Sequence, residues 1–152
     1  MKRMKRMLCL ILAALMLVSM AGCGAKEQST TLVLEQPGVT MEYKLDAKGD
    51  VVEIITQSST IDCSMYGEDE LQAIEDMISQ VEPIYAGIDG VTYEVERGES
   101  TIIEVITIDA SKPDTLKKLS ESGMLPIDGD ASKISLKLTV ESLESQGWAV
   151  KE

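Results

Sequence analysis

Carboxylate chemistry remains open to this chain, whose 152 residues include 26 Asp and Glu but no histidine. Serine–histidine and cysteine–histidine nucleophiles, histidine general bases and histidine metal sites are therefore excluded. Two acids facing each other across a cleft suffice for glycoside hydrolysis, but among so many carboxylates the spacing singles out no pair. Asp128, Asp130 and Ser132 have the spacing of the first three ligands of a calcium loop. Such a loop needs glycine at the sixth position and glutamate at the twelfth; Lys133 and Thr139 stand there instead, so DGDAS reads as an acidic turn. Cys63 has no CxxC partner and reads as a small apolar side chain. No glycine-rich phosphate loop occurs. Four tyrosines, one tryptophan and no phenylalanine predict no carbohydrate or nucleotide platform. These residues imply neither a cofactor nor a metal centre.

One side chain does carry specific chemistry. Lys2, Arg3, Lys5 and Arg6 precede an apolar run from Met7 to Met20, followed by the small residues Ala21 and Gly22. This order is that of a secretory signal, and the run is shorter than the ~20 apolar residues that span a bilayer. Met20-Ala21-Gly22-Cys23 resembles the lipobox of bacterial lipoproteins, with methionine at the place usually held by leucine. The resemblance implies cleavage between Gly22 and Cys23 and acyl chains on the Cys23 sulfur. Two or more chains exceed the marginal hold of one, at ~0.8 kcal/mol per buried methylene. The expected organisation is a cleaved signal over residues 1–22, a lipidated N-terminus and tether over 23–30, and a single domain over 31–152. The expected location is the extracytoplasmic face of the cell membrane. Cys9 would leave with the signal, so Cys63 would have no cysteine to pair with, and the domain would depend on its own core.

Formal charge is −12, and loss of the four basic signal residues would take the remainder to −16. Nucleic acid is thereby excluded as the default partner, as are anionic headgroups. The excess is concentrated between Gly49 and Glu96, where there is no Lys or Arg. That acidic segment suits a solvated surface, or a face for a cation or a basic partner.

The elements needed to position these residues follow from periodicity. Val39, Met41, Tyr43 and Leu45 alternate with Thr40, Glu42 and Lys44, and with turns at Pro37-Gly38 and around Gly49 this predicts a three-stranded antiparallel meander. Leu71, Ile74, Ile78, Val81 and Tyr85 form a helical stripe. Pro83 predicts an end to the regular helix near Glu82, with a kinked last turn to Ala86. Val91–Glu96 and Thr101–Asp109 form a hairpin. The second of these carries Ile102, Ile103, Val105, Ile106 and Ile108 on both faces, which predicts a central strand covered on each side. Pro113 opens a short helix that Gly123 closes, residues 125–132 form a loop, and Thr139 caps a last helix to Gln146. The fold class is α+β, an antiparallel meander sheet of about five strands with two to three helices packed on it.

Behind the lipobox, the strings YAGIDGVTYEVE, IIEVITIDASKPDTLKKLS and GDASKISLKLTVESLESQGW resemble the small bacterial YehR-like lipoproteins, a family of unknown function. The resemblance implies an α+β domain with an antiparallel sheet, anchored by lipid outside the cytoplasm. It supplies no catalytic residues. Anchor, composition and resemblance together predict a non-enzymatic module that binds or assists another component of the cell envelope. The alternative is a carboxylate-based hydrolase or a cation-binding protein that uses the acidic segment, residues 49–96.

Overall fold

The computed structural model describes residues 24–124 and 132–151. Three long strands come first: β1 (Glu27–Gln36), β2 (Val39–Lys48) and β3 (Val51–Asp62). A 3-10 turn at Cys63–Met65 leads into α1 (Glu68–Ala86), and a hairpin follows of β4 (Val91–Arg97) and β5 (Thr101–Asp109). The chain continues through α2 (Pro113–Glu121) and α3 (Leu136–Ser145) to a two-residue strand, β6 (Ala149–Val150). The sheet has six strands in the order β4-β5-β3-β2-β1-β6, and every pair is antiparallel. The α+β class and the β1–β3 meander therefore hold. β5 returns from the far edge to pair with β3.

Alternation along the strands sorts the side chains cleanly. Leu32, Leu45, Ile55 and Ile108 point to the helix side, where they are buried with Leu116 and Leu119 of α2 and Leu136 of α3. A smaller buried cluster under α1 joins Ile78 to Ile61 and Ile102. No described helix covers the opposite face, whose central row runs Val33, Glu42, Ser58, Val105 and Glu94. An antiparallel sheet can leave one face wet in this way.

The structure corrects five local expectations. Residues 27–30 are not tether but the first turnless residues of β1, paired with Leu45–Lys48 of β2. Their side chains are polar and show no alternation, yet their backbone groups find a ladder already offered by the long second strand. β5 is not central and is covered on one face only: it lies second from the edge, and Ile103 and Val105 are half-exposed between polar cross-strand neighbours. α1 runs unbroken through Pro83 to Ala86, since one missing amide is outweighed by the packing of Tyr85 beyond it. α3 starts at Leu136, capped by the Ser135 hydroxyl, which accepts from the Leu138 amide at 3.2 Å. Leu138, in the first turn of that helix, is 65% exposed. The sixth strand is short enough to leave no periodic signal, and forms because Trp148 draws the following residues onto the edge of β1.

Candidate functional site

On β2 to β5 the helix-facing positions are apolar or aromatic except for Gln57, Ser59, Arg97 and Glu104, which lie in neighbouring rows. Among the paired helix-facing positions, Glu104 on β5 is the one carboxylate and Arg97 on β4 the one base. An acid facing the core side is informative in a way that a surface acid is not. Ser59 lies directly across from Glu104 on β3, and Val95 directly across on β4. One step along the sheet, the row Tyr43, Gln57, Ile106, Tyr93 crosses four strands. Tyr43, Gln57, Ser59, Tyr93 and Glu104 are all half-exposed, so this floor lies between the two core clusters without being sealed by either.

Two aromatic pairs flank the floor. On one side Tyr85, carried by the last turn of α1, stacks on Tyr93 with ring centroids 5.4 Å apart and an interplanar angle of 12°. On the other, Trp148 meets Tyr43 edge-on at 5.1 Å and 71°. Tyr43 and Tyr93 stand on strands separated by two others, which places their backbones about 14 Å apart at the usual strand spacing. The continuation of α1 through Pro83 is what delivers Tyr85, and the docking of β6 on β1 is what fixes Trp148.

Hydrogen bonding orients the polar groups. The Tyr93 hydroxyl donates to Glu104 Oε1, and the Tyr43 hydroxyl donates to Gln57 Oε1 at 2.8 Å. Burial and then the neighbouring Glu104 carboxylate, as acceptor and as charge, hold the Tyr93 phenol well above its usual range. Tyr85 is raised by burial and by the charge of Glu104, and Tyr43 by burial and by Tyr85. All three phenols are therefore neutral at physiological pH. Arg97 does not neutralise Glu104, because its guanidinium is engaged by Glu75 of α1, with Nη2 to Oε2 at 2.7 Å. Among the described residues Glu104 forms no ion pair, and Tyr93 occupies only one of its oxygens. The arrangement offers a carboxylate, an amide and a hydroxyl between two aromatic pairs.

The residues singled out from sequence fall elsewhere. Gly22, Cys23, Asp128 and Asp130 lie outside the described residues. Thr139 sits within α3, its hydroxyl donating to the Ser135 carbonyl at 2.7 Å. Cys63 is a free, half-buried thiol beside the cluster under α1. No group of three or more Cys, Asp and Glu converges on a metal position among the described residues. Several acids of the acidic segment serve local structure. Asp50 accepts from the Lys137 amide and the Ser135 hydroxyl at the start of α3, at 2.9 and 2.7 Å. Asp62 caps the 3-10 turn through Ser64, and Glu70 accepts from the Gly67 amide at the start of α1. A shallow depression of about 380 Å³ lies at the opposite end of the sheet, lined by Glu27, Asp46 and Glu53 among others.

The aromatic floor escaped sequence reasoning because its members are spread from residue 43 to residue 148. A signal was present: Glu104 interrupts the run Ile102–Ile108 on the helix-facing side.

Comparison with known proteins gives a consistent placement. Residues 28–149 match a family described as protein of unknown function, DUF1307. An uncharacterized lipoprotein of Listeria monocytogenes, Lmo0207, is 30% identical over 149 residues, covering 97% of each chain. Its counterpart in Listeria innocua, Lin0239, is 32% identical over 151 residues with the same coverage. Among solved structures, Escherichia coli YehR superposes with a TM-score of 0.61 at 21% identity, over 84% of this chain and 93% of that one. A Streptococcus pneumoniae protein superposes with a TM-score of 0.50 at 12% identity, over 88% and 90%. At these identities the two structures show the fold alone. No described helix is long and apolar enough to cross a membrane.

Proposed function

The chain belongs to the DUF1307 family of proteins of unknown function, and from that premise we propose that it works as a lipid-anchored, non-enzymatic binding module on the extracytoplasmic side of the cell membrane. The anchor is the Cys23 sulfur, released as a new N-terminus by cleavage after Gly22. Relatives that align over nearly their whole length are named lipoproteins, which supports the anchor. The observation that carries the binding role is the half-exposed floor of Glu104, Gln57 and Ser59 between the Tyr85–Tyr93 and Tyr43–Trp148 pairs. Polar groups of this kind, held in fixed geometry between aromatic side chains, give a basis for selecting a ligand.

Two measurements test the proposal. Radiolabelled palmitate should enter the wild-type chain but not Cys23→Ala, and that variant should leave the membrane fraction; unchanged fractionation would remove the anchor. Crosslinking in intact cells through a photoreactive residue at position 57 should capture one reproducible envelope component. The same residue at position 58, on the uncovered face, should not. Equal or absent capture at both positions would remove the binding role.

A further inference from the structure

We propose that the aromatic floor binds a primary ammonium group carried on a short apolar body, with the ammonium on Glu104 and the body against the faces of Tyr85 and Tyr93. This deepens the binding role proposed above and rests on it.

The argument starts from charge. Glu104 is the sole acid on the helix-facing rows, and the one base on those rows, Arg97, is tied to Glu75. A carboxylate between aromatic side chains attracts a cation more strongly than one in open water, because the surrounding medium screens less. Glu82, whose charge also reaches Tyr93, adds to the negative field there.

Donor and acceptor counting then narrows the class. An ionised carboxylate has about four acceptor positions, and Tyr93 takes one of those on Glu104. A primary ammonium brings three donors and no acceptor. Glu104 can receive one, and the Ser59 hydroxyl, directly across the ladder, can receive another. An anionic ligand would meet the carboxylate with like charge. The aromatic faces complete the match, since tyrosine rings attract a cation and cover an apolar stem. The acidity of the whole chain, formally −12, favours arrival of a cation at this surface.

The chain has a single tryptophan, and it stands in the wall of the site against Tyr43. Trp148 emission is read together with the heat of titration, which reports occupancy at either flank of the floor. Full-length lipidated chain in detergent is titrated with 1-aminopentane at constant ionic strength, and in parallel with 1-pentanol, its neutral counterpart. The expected result is a saturable heat or change in emission with the amine and binding at least about tenfold weaker with the alcohol. Glu104→Gln should weaken amine binding at least about tenfold, whereas Val105→Ala on the uncovered face should leave it unchanged. If Glu104→Gln does not fold, Tyr85→Leu and Tyr93→Phe decide. The first should weaken binding, and the second should keep it, because it frees a carboxylate oxygen while retaining the ring. No saturable response, equal affinity for amine and alcohol, or an unaffected Glu104→Gln would overturn the ammonium assignment. None of these would touch the crosslinking result, so the two proposals fail separately.

Discussion

Tyr93 and Glu104 meet across the β4–β5 ladder, phenol to carboxylate, on the helix-facing side of the sheet where no other acid stands. The bond exists only while the phenol keeps its proton. Burial and the Glu104 carboxylate raise the folded-state pKa of Tyr93 above its unfolded value, so its stabilising contribution is complete below about pH 10 and is lost as pH rises through the folded value. Tyr93→Phe should therefore leave tyrosinate absorbance unchanged between about pH 9 and pH 11, because Tyr93 is not among the phenols that ionise there. A clear drop in titrating absorbance in the variant would show that Tyr93 ionises normally.

Asp50 ties the β2–β3 turn to the start of α3 across 85 residues of sequence, through the Ser135 hydroxyl and the Lys137 amide. Those hydrogen bonds hold its pKa below the usual carboxylate range, the Ser135 hydroxyl contributing most. A depressed carboxylate stabilises fully above its unfolded pKa and loses that contribution as pH falls through the folded one. Asp50→Asn should accordingly melt at a lower temperature than wild type at neutral pH, and the gap should close as pH falls below the carboxylate range. A gap constant with pH would assign the loss to shape rather than to charge.

Much of the fold was legible because strand and helix periods leave clear marks. Val39 to Leu45 alternates without a break, and Gly38 adopts the φ of +78° that its turn requires. What was hidden has identifiable physical causes. Residues 27–30 pair through backbone alone and carry no apolar pattern to read. Ile103 and Val105 suggest a covered strand by composition, but cross-strand Thr60, Glu96, Ser58 and Glu94 reveal a wet face once the register is known. Pro83 is a poor guide to the end of α1 because Tyr85 gains a stacking partner 8 residues later in the chain. The candidate site is a case of the same kind: Tyr43, Tyr85, Tyr93 and Trp148 look unrelated until strand order brings them to one floor.

One covered face implies an asymmetry that mutation can measure. Leu116 of α2 is fully buried among Leu32, Leu45 and Val52, so Leu116→Ala should cost about 3 kcal/mol through lost burial and the cavity left behind. Ile103 on the opposite face is only partly buried, and Ile103→Ala should cost less than about 1.5 kcal/mol. Urea denaturation of both variants compares them directly. Equal losses would mean that something covers the second face in solution.

Gly90 and Gly123 share a left-handed backbone, with φ of +83° and +73°, but differ in what surrounds them. A Cβ on Gly90 would come within 2.5 Å of Thr115 Oγ1, whereas one on Gly123 would meet nothing within 4 Å. Thr115 cannot easily withdraw. It is 1% exposed, and its hydroxyl donates to the Asp89 carbonyl at 2.8 Å, joining α2 to the loop before β4. Gly123→Ala should therefore cost only the backbone term of about 1 to 2 kcal/mol. Gly90→Ala should cost at least about 1 kcal/mol more, since it also displaces a buried hydrogen bond. Denaturant midpoints of the two variants decide the matter, and similar midpoints would show that Thr115 yields more readily than its burial implies.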